Sequence, residues 1–301
     1  MNVIVCIKEV LDTALSLDFG LSNRVVFREG QPLRLNPNDA EALAMSLGLK
    51  TPDEEEPVNI TVISIGTDRV ESYLRQGLAL GAARAVRIWD EGFEALSSWQ
   101  KARLLTAAVS FLGADLVFTG AESMDTGNGQ VGPLMAAWLD FPCVGSVVGL
   151  ELDEERKNLK LTRDIGRGER ELVQCPLPTV ITVKGEGRLP CASLDRVVES
   201  KYEEVTLLSL ADLGITPAGL KNDPPRVTGI SHPRPRPRKV PPLDSSLPAF
   251  YRILQLLEGG ISKRQGKMLE GSSEELAERL FELLLAEGVL QPAADKGVTG
   301  K

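Results

Sequence analysis

The chain has 301 residues, enough for one large α/β domain with an appendage and enough to bury a core without disulfide or metal staples. Hydrophobic residues make up 43% and charged residues 25%, as in ordinary globular proteins and unlike disordered chains. A net charge of −8 makes the molecule as a whole repel polyphosphates, which argues against a general nucleic-acid binder.

The N-terminal run MNVIVCIKEV reaches Lys8 and Glu9 too soon to hold the apolar region of a secretory leader, and it reads as a buried strand over Val3–Ile7. Continuous apolar runs recur at Ile60–Ile65, Ala85–Ile88 and Leu116–Phe118. Helical periodicity separates them at Asp39–Lys50, Val70–Leu80 and Lys101–Leu112. Asn36-Pro37-Asn38 stands before the first of these helices, Asp68 before the second, and Gly81 closes the second. The alternation predicts an α/β fold of three layers, α/β/α, with a mostly parallel sheet covered on both faces. Val131–Leu150 is almost uncharged, but Asp140, two prolines and three glycines make it a poor membrane span.

After Pro142 the spacing changes. Ser146–Leu152, Leu159–Arg163, Glu169–Val173 and Thr179–Val183 lie too close together for crossover helices and predict an antiparallel extension of the sheet. From Pro217 to Pro248 the composition shifts to proline and arginine, as in Pro224-Pro225, Pro233-Arg-Pro-Arg-Pro-Arg-Lys239 and Pro241-Pro242, predicting an extended, semi-rigid arm rather than a helix. Leu247–Leu257 and Ser272–Leu285 are helical in period, and Ser272 with Glu275 has capping-box spacing, so a small helical hairpin is expected at the end. The expected division is an α/β domain over 1–214, the arm over 215–246 and a helical extension over 247–301.

Cys6, Cys143, Cys175 and Cys191 are scattered, without CxxC or Cys/His spacing, so zinc and iron–sulfur sites are not indicated and a reducing, cytoplasmic setting fits. The only histidine, His232, lies in the arm, a poor place for a positioned base, and the acidic runs Asp53–Glu56 and Asp153–Glu155 read as solvated loops. No residue set points to bond-making catalysis.

The segment from Gly120 to Gly132 (GAESMDTGNGQVG) follows a buried strand and opens a helix. Backbone N–H groups and a helix N-terminus there could face a phosphate, although neither GxGxxG nor a Walker A pattern is matched, and a plain glycine-rich turn is the alternative. Leu35–Asp39 could reach the same sheet edge or merely cap its helix, and Ser64-Ile65-Gly66 ends its strand with a small residue against which an adenine could lie. Arg226, Arg234, Arg236, Arg238 and Lys239 form a basic cluster in an acidic chain, suited to docking on an acidic partner or to solubilising a linker.

Taken together, several segments resemble the β subunit of electron-transfer flavoproteins over about residues 1 to 230. They are VIVCIKEV with Leu11-Asp12-Thr13, Asn36-Pro37-Asn38-Asp39, Leu78-Ala-Leu-Gly81-Ala82, Asp125 to Gly132 with Gln130-Val131-Gly132, Leu177-Pro178-Thr-Val-Ile-Thr, Ala192-Ser-Leu194, Ala211-Asp-Leu-Gly214 and Asp223-Pro-Pro225. The resemblance implies an adenine-nucleotide-binding α/β fold, a heterodimer with an FAD-carrying α subunit, and AMP in this subunit, or a second FAD in electron-bifurcating members that oxidise NADH. It further implies partnership with a dehydrogenase, of the acyl-CoA type or similar, and with an electron-acceptor oxidoreductase at a membrane or elsewhere, without insertion of this subunit.

Carried over by position, the nucleotide contacts would be Cys6, Lys8, Asn36, Asp39, Ile65, Gly66 and, within the glycine-rich loop, Gly120, Ser123, Asp125, Thr126, Gly127, Asn128, Gly129, Gln130, Val131 and Gly132. Partner docking would involve Leu194, Lys201, Arg234, Arg236 and Arg238. Two departures matter: Asp125 stands alone where many relatives have three acids, and Glu199-Ser-Lys201-Tyr-Glu-Glu204 replaces a lysine run after Leu194. The second implies a narrower, dedicated redox partner, because a reversed charge penalises the old one. The region beyond about residue 232 passes the family's usual end and would wrap the α subunit or shape a docking site. The competing reading is a non-redox, adenine-nucleotide-binding regulatory protein, which would be colourless.

Overall fold

The computed structural model describes residues 1–14, 32–49, 57–91, 93, 96–153, 157–221, 247–257 and 271–286. The chain divides into two compact units, Met1–Ser231 and His232–Lys301. The boundary falls inside the expected arm, so the first unit runs past residue 214.

In chain order the first unit begins β1 (Asn2–Cys6), β2 (Glu9–Leu11), β3 (Leu33–Leu35), α1 (Pro37–Leu47), β4 (Asn59–Ile65), α2 (Glu71–Ala79), β5 (Arg84–Ile88), α3 (Ser98–Leu112), β6 (Leu116–Gly120) and α4 (Val131–Leu139). It continues with β7 (Cys143–Leu152), β8 (Asn158–Gly166), β9 (Glu169–Pro176), β10 (Thr179–Val183), α5 (Leu194–Glu199), β11 (Val205–Leu208) and α6 (Pro217–Lys221). Nine strands form one sheet in the order β11-β5-β4-β1-β6-β10-β7-β8-β9, parallel as far as β7 and antiparallel from there.

Strand alternation sends successive side chains of β1 to opposite faces. Val3, Val5 and Ile7 join one core with Ala40 and Leu43 of α1 and Leu74 and Leu78 of α2. Ile4 and Cys6 join a second core with Ala102 and Leu105 of α3 and Met135 of α4. Helices therefore cover both faces, the expected three layers, and the unbroken apolar runs in the sequence follow from burial on both sides. Full burial of each such aliphatic side chain contributes about 1.5–3 kcal/mol.

The antiparallel extension is β7–β8–β9, but Thr179–Val183 is not part of it. As β10 it returns to the middle of the sheet and pairs in parallel with both β6 and β7. Parallel neighbours need a crossover, and here the β8–β9 hairpin serves in place of a helix. Two pairings were not expected: edge strand β11, parallel to β5, and the small antiparallel pair β2–β3, Glu9 opposite Leu35.

The expected arm begins with a helical turn, α6. Pro217 suits the start of a helix, Thr216 Oγ1 accepts from Gly219 N–H at 3.1 Å, and Leu220 is buried. From α3, Gln100 and Arg103 donate to the carbonyls of Leu220 and Gly219. Most of the arm, including Arg226, His232, Arg234, Arg236, Arg238 and Lys239, lies outside the described residues. In the second unit α7 (Ala249–Leu257) and α8 (Ser273–Ala286) match the two expected helices. The Ser272–Glu275 capping box is present, with bonds of 3.2 and 3.4 Å, while the connection between the helices lies outside the described residues.

The uncharged run Val131–Leu150 is divided between α4 and β7. Among the described residues no helix is long and apolar enough to cross a membrane.

Candidate functional site

β1 and β6 are neighbours in the sheet, yet their connections leave in opposite directions: β1 leads through α1 to β4, and β6 leads through α4 to β7. Their carboxyl ends therefore open onto the point where the winding reverses, the place where open α/β sheets take their ligands. The loops that meet there hold most of the residues expected from the sequence.

Lys8, just past β1, reaches across to Asp125, with Nζ 2.7 Å from Oδ1 and 2.8 Å from Oδ2, and lies 3.3 Å from Ser123 Oγ. Thr126 N–H donates to Asp125 Oδ1 at 2.7 Å, and the Ser123 and Thr126 hydroxyls are 2.8 Å apart. Burial works against the Asp125 carboxylate, yet hydrogen bonds from Lys8 and Ser123 outweigh it and hold the group below the usual carboxylate range.

Asn36 and Asn38 lash α1 to the same loop. Asn36 Oδ1 accepts from Met124 N–H at 3.0 Å, and both side-chain amides donate to the Glu122 carbonyl at 3.0 Å. Asn36 makes no side-chain cap on α1, so its polarity serves the loop rather than the helix. Asp39 is buried and accepts from Gly120 N–H at 2.9 Å. Burial pushes its carboxyl up to about 7, against hydrogen bonds from the Asn36 side chain, Gly120 N–H and Lys8 N–H. The bond from Gly120 ties the end of β6 to α1 at this carboxylate.

The glycines divide into two kinds. A Cβ on Gly120 would overlap Asp39 Oδ1, and one on Gly132 would fall about 2.5 Å from Thr182 Cγ2; one on Gly66 would fall 2.6 Å from Val70 Cγ1. These three are small because protein packs against them, not because their missing side chains leave room for a ligand. Gly127 and Gly129 differ: φ is +58° and +60°, the left-handed region natural to glycine, and neither has a side chain close by. They turn the backbone into Gln130, which precedes α4, with Val131 and Gly132 in its first turn.

Asn128 Nδ2 donates to Ser98 Oγ at 2.9 Å, bringing the first turn of α3 against the loop. On that turn is Lys101, which motif reading missed. Burial lowers its ammonium below the ordinary range, as does the charge of Lys8, while Asp125 opposes the shift. The capping box of Ser97 and Gln100, visible in the sequence, marks the turn that carries it.

Cys6 is buried at the end of β1, in the core beneath the site, where burial and the Asp39 charge push its thiol up. Ile65 ends β4, opposite Ile88 of β5, and Gly66 follows it, its N–H donating to Ile88 O at 3.2 Å. Leu194 and Lys201 lie apart from these loops. Leu194 starts α5 and is 77% exposed; Lys201 follows α5 and is also exposed. Two of the acids near them are engaged within the chain, Arg196 pairing with Glu199 at 2.8 Å and with Glu203 at 3.1 Å. Among the described residues no His, Cys, Asp and Glu cluster could hold a metal ion.

Comparison with known proteins gives this arrangement a context. A family model described as "Electron transfer flavoprotein domain" matches residues 24–212. The chain is 30% identical over 237 residues to an electron transfer flavoprotein subunit beta of Thermoanaerobacterium thermosaccharolyticum, covering 77% of this chain and 88% of that protein. It is 28% identical over 274 residues to protein FixA of Sinorhizobium fredii, covering 88% and 95%. It is also 28% identical over 231 residues to the caffeyl-CoA reductase-Etf complex subunit CarD of Acetobacterium woodii, covering 75% and 86%. With the matched segment spanning β3 to β11 and both helical layers, the chain belongs to the electron transfer flavoprotein domain family.

Proposed function

We propose that this chain is the β subunit of an electron transfer flavoprotein, holding an adenylate, as AMP or as the adenylate half of FAD, at the sheet's reversal point and pairing with an FAD-carrying α subunit. The observation that carries the reading is the Lys8–Asp125 pair together with the Asn36, Asn38 and Asp39 lashings, which fix the glycine-rich loop at that point. The residues suit the group. Gly127 and Gly129 expose backbone without a side chain in the way, α4 begins just beyond them, and Lys8 brings a cation against the loop from the end of β1. Asp125, Gly127 and Gln130 would form the heart of the pocket, with Ser123, Thr126, Asn128, Gly129, Val131 and Gly132 shaping its walls.

A bound flavin supplies the electron chemistry; this chain's residues bind and orient the nucleotide, exclude water from the rim and anchor the partner. Electrons would pass between a dehydrogenase and an acceptor, with Leu194 and Lys201 on the dehydrogenase-facing surface and the region beyond residue 231 gripping the α subunit. The cell interior suits four free cysteines.

The test is to co-express the chain with its α subunit, extract the ligands and count them. A yellow heterodimer yielding adenylate is expected, with adenylate content falling in Asp125→Ala and Gln130→Ala while folding is kept. A colourless, adenylate-free protein, or normal ligand content in both variants, would overturn the reading. One flavin plus AMP would mark a simple relay; two flavins bleached by NADH would mark a bifurcating form.

A further inference from the structure

Ser98, which receives the Asn128 amide, and Lys101 are three residues apart on α3 and share a helix face, so the face that touches the loop also carries this lysine. Lys101 is partly buried. Among the described residues its ammonium has no hydrogen-bond or ion-pair partner, and of the charges acting on it Lys8 repels it and Asp125 attracts it. Asp125 is committed, since both its oxygens receive Lys8 Nζ. Two lysines thus share one aspartate in a chain whose net charge is −8. A half-buried ammonium beside a like charge is unfavourable by itself. An anion touching both lysines reverses the sign of that interaction, and a phosphate brings up to two negative charges with several acceptor oxygens.

We propose that Lys101 is a phosphate-binding residue of this site, acting alongside Lys8 on the phosphate of the bound adenylate. This rests on the nucleotide reading above and adds to it a residue and a charge preference. Lys8 is held in place by Asp125, whereas Lys101 is free to turn its ammonium onto the ligand. Affinity at the site therefore depends on the phosphate and not on the nucleoside alone.

The experiment uses the heterodimer stripped of nucleotide and titrated calorimetrically with AMP and with adenosine. Lys101→Met is expected to weaken AMP about tenfold, equivalent to about 1.4 kcal/mol, and to leave adenosine unchanged. Lys101→Arg restores most of the loss, and AMP binding to Lys101→Met varies less steeply with salt than binding to the unaltered protein. Unchanged AMP affinity in Lys101→Met overturns the proposal, and so does an equal loss for AMP and adenosine, which would mark a packing role. If the unaltered protein binds adenosine as tightly as AMP, the proposal fails while the nucleotide reading stands; if it binds neither, both fail.

Discussion

At the scale of single residues, the site is made of polar groups serving one another. Asn36 and Asp39 stand out in the sequence as a polar loop that begins a helix, and Asp125 as the acid of a glycine-rich segment after a buried strand. Their observed partners are Met124, Gly120 and Lys8, so part of that polarity builds the loop itself. Gly120 is the sharpest case. Its missing side chain makes room for Asp39, and a methyl group there would also fall 2.9 Å from Asn38 Cβ and 3.0 Å from Asn36 Nδ2. Gly120→Ala must push the lashings apart, and we expect a cost of about 1–3 kcal/mol, with reduced adenylate retention. Gly145→Ala, whose added atom would meet only Thr182 Oγ1 at an ordinary 3.7 Å, serves as the comparison. Equal melting temperatures for the two variants would show that the close approach carries no energy.

At the scale of elements, buried parallel strands were legible because burial on both faces writes itself as unbroken apolar runs. β11 and α5 were not, since an edge strand and a six-residue helix bury too little to leave a pattern. One side chain gathers the chain between them. Arg75 of α2 donates from Nη1 to the carbonyls of Ser200, Lys201 and Glu203 at 3.0, 3.1 and 2.8 Å, collecting the chain as it leaves α5 and before it enters β11. Arg196 returns the contact by donating to Leu78 O at 3.0 Å. Charge-assisted bonds of this kind are worth about 1.5–3 kcal/mol each, less where water competes. Arg75→Ala should therefore loosen the α5–β11 segment, speeding amide exchange over β11 about tenfold or more and leaving β1 and β6 protected. Unaltered exchange on β11 would show that pairing with β5 alone holds the segment. Because Leu194 sits on α5, the same variant also asks whether the exposed leucine needs a fixed base.

At the scale of the whole molecule, all nine strands of the large sheet and both described cores belong to the unit ending at Ser231. A chain ending there and co-expressed with the α subunit should fold, keep its adenylate and melt within about 4 °C of the full chain, a change of roughly 1 kcal/mol. Loss of folding would show that the second unit completes a core. Helices α7 and α8 carry exposed Phe250, Tyr251, Ile253, Leu280 and Phe281, so weaker hold on the α subunit is the expected price of the deletion.

The sequence by itself determined the α/β class, the two-sided burial of the central strands, the loops on which the site would lie and the family resemblance. Each of these is local: hydrophobic period, helix caps and glycine position depend on near neighbours along the chain. Only the tertiary structure decided that Thr179–Val183 returns between β6 and β7, that Lys8 meets Asp125 across 117 positions of sequence, and that the first turn of α3, which carries Lys101, meets the same loop. Such pairings are set by sheet order and the packing of layers, and a sheet's order is a property of the closed molecule that no segment carries alone.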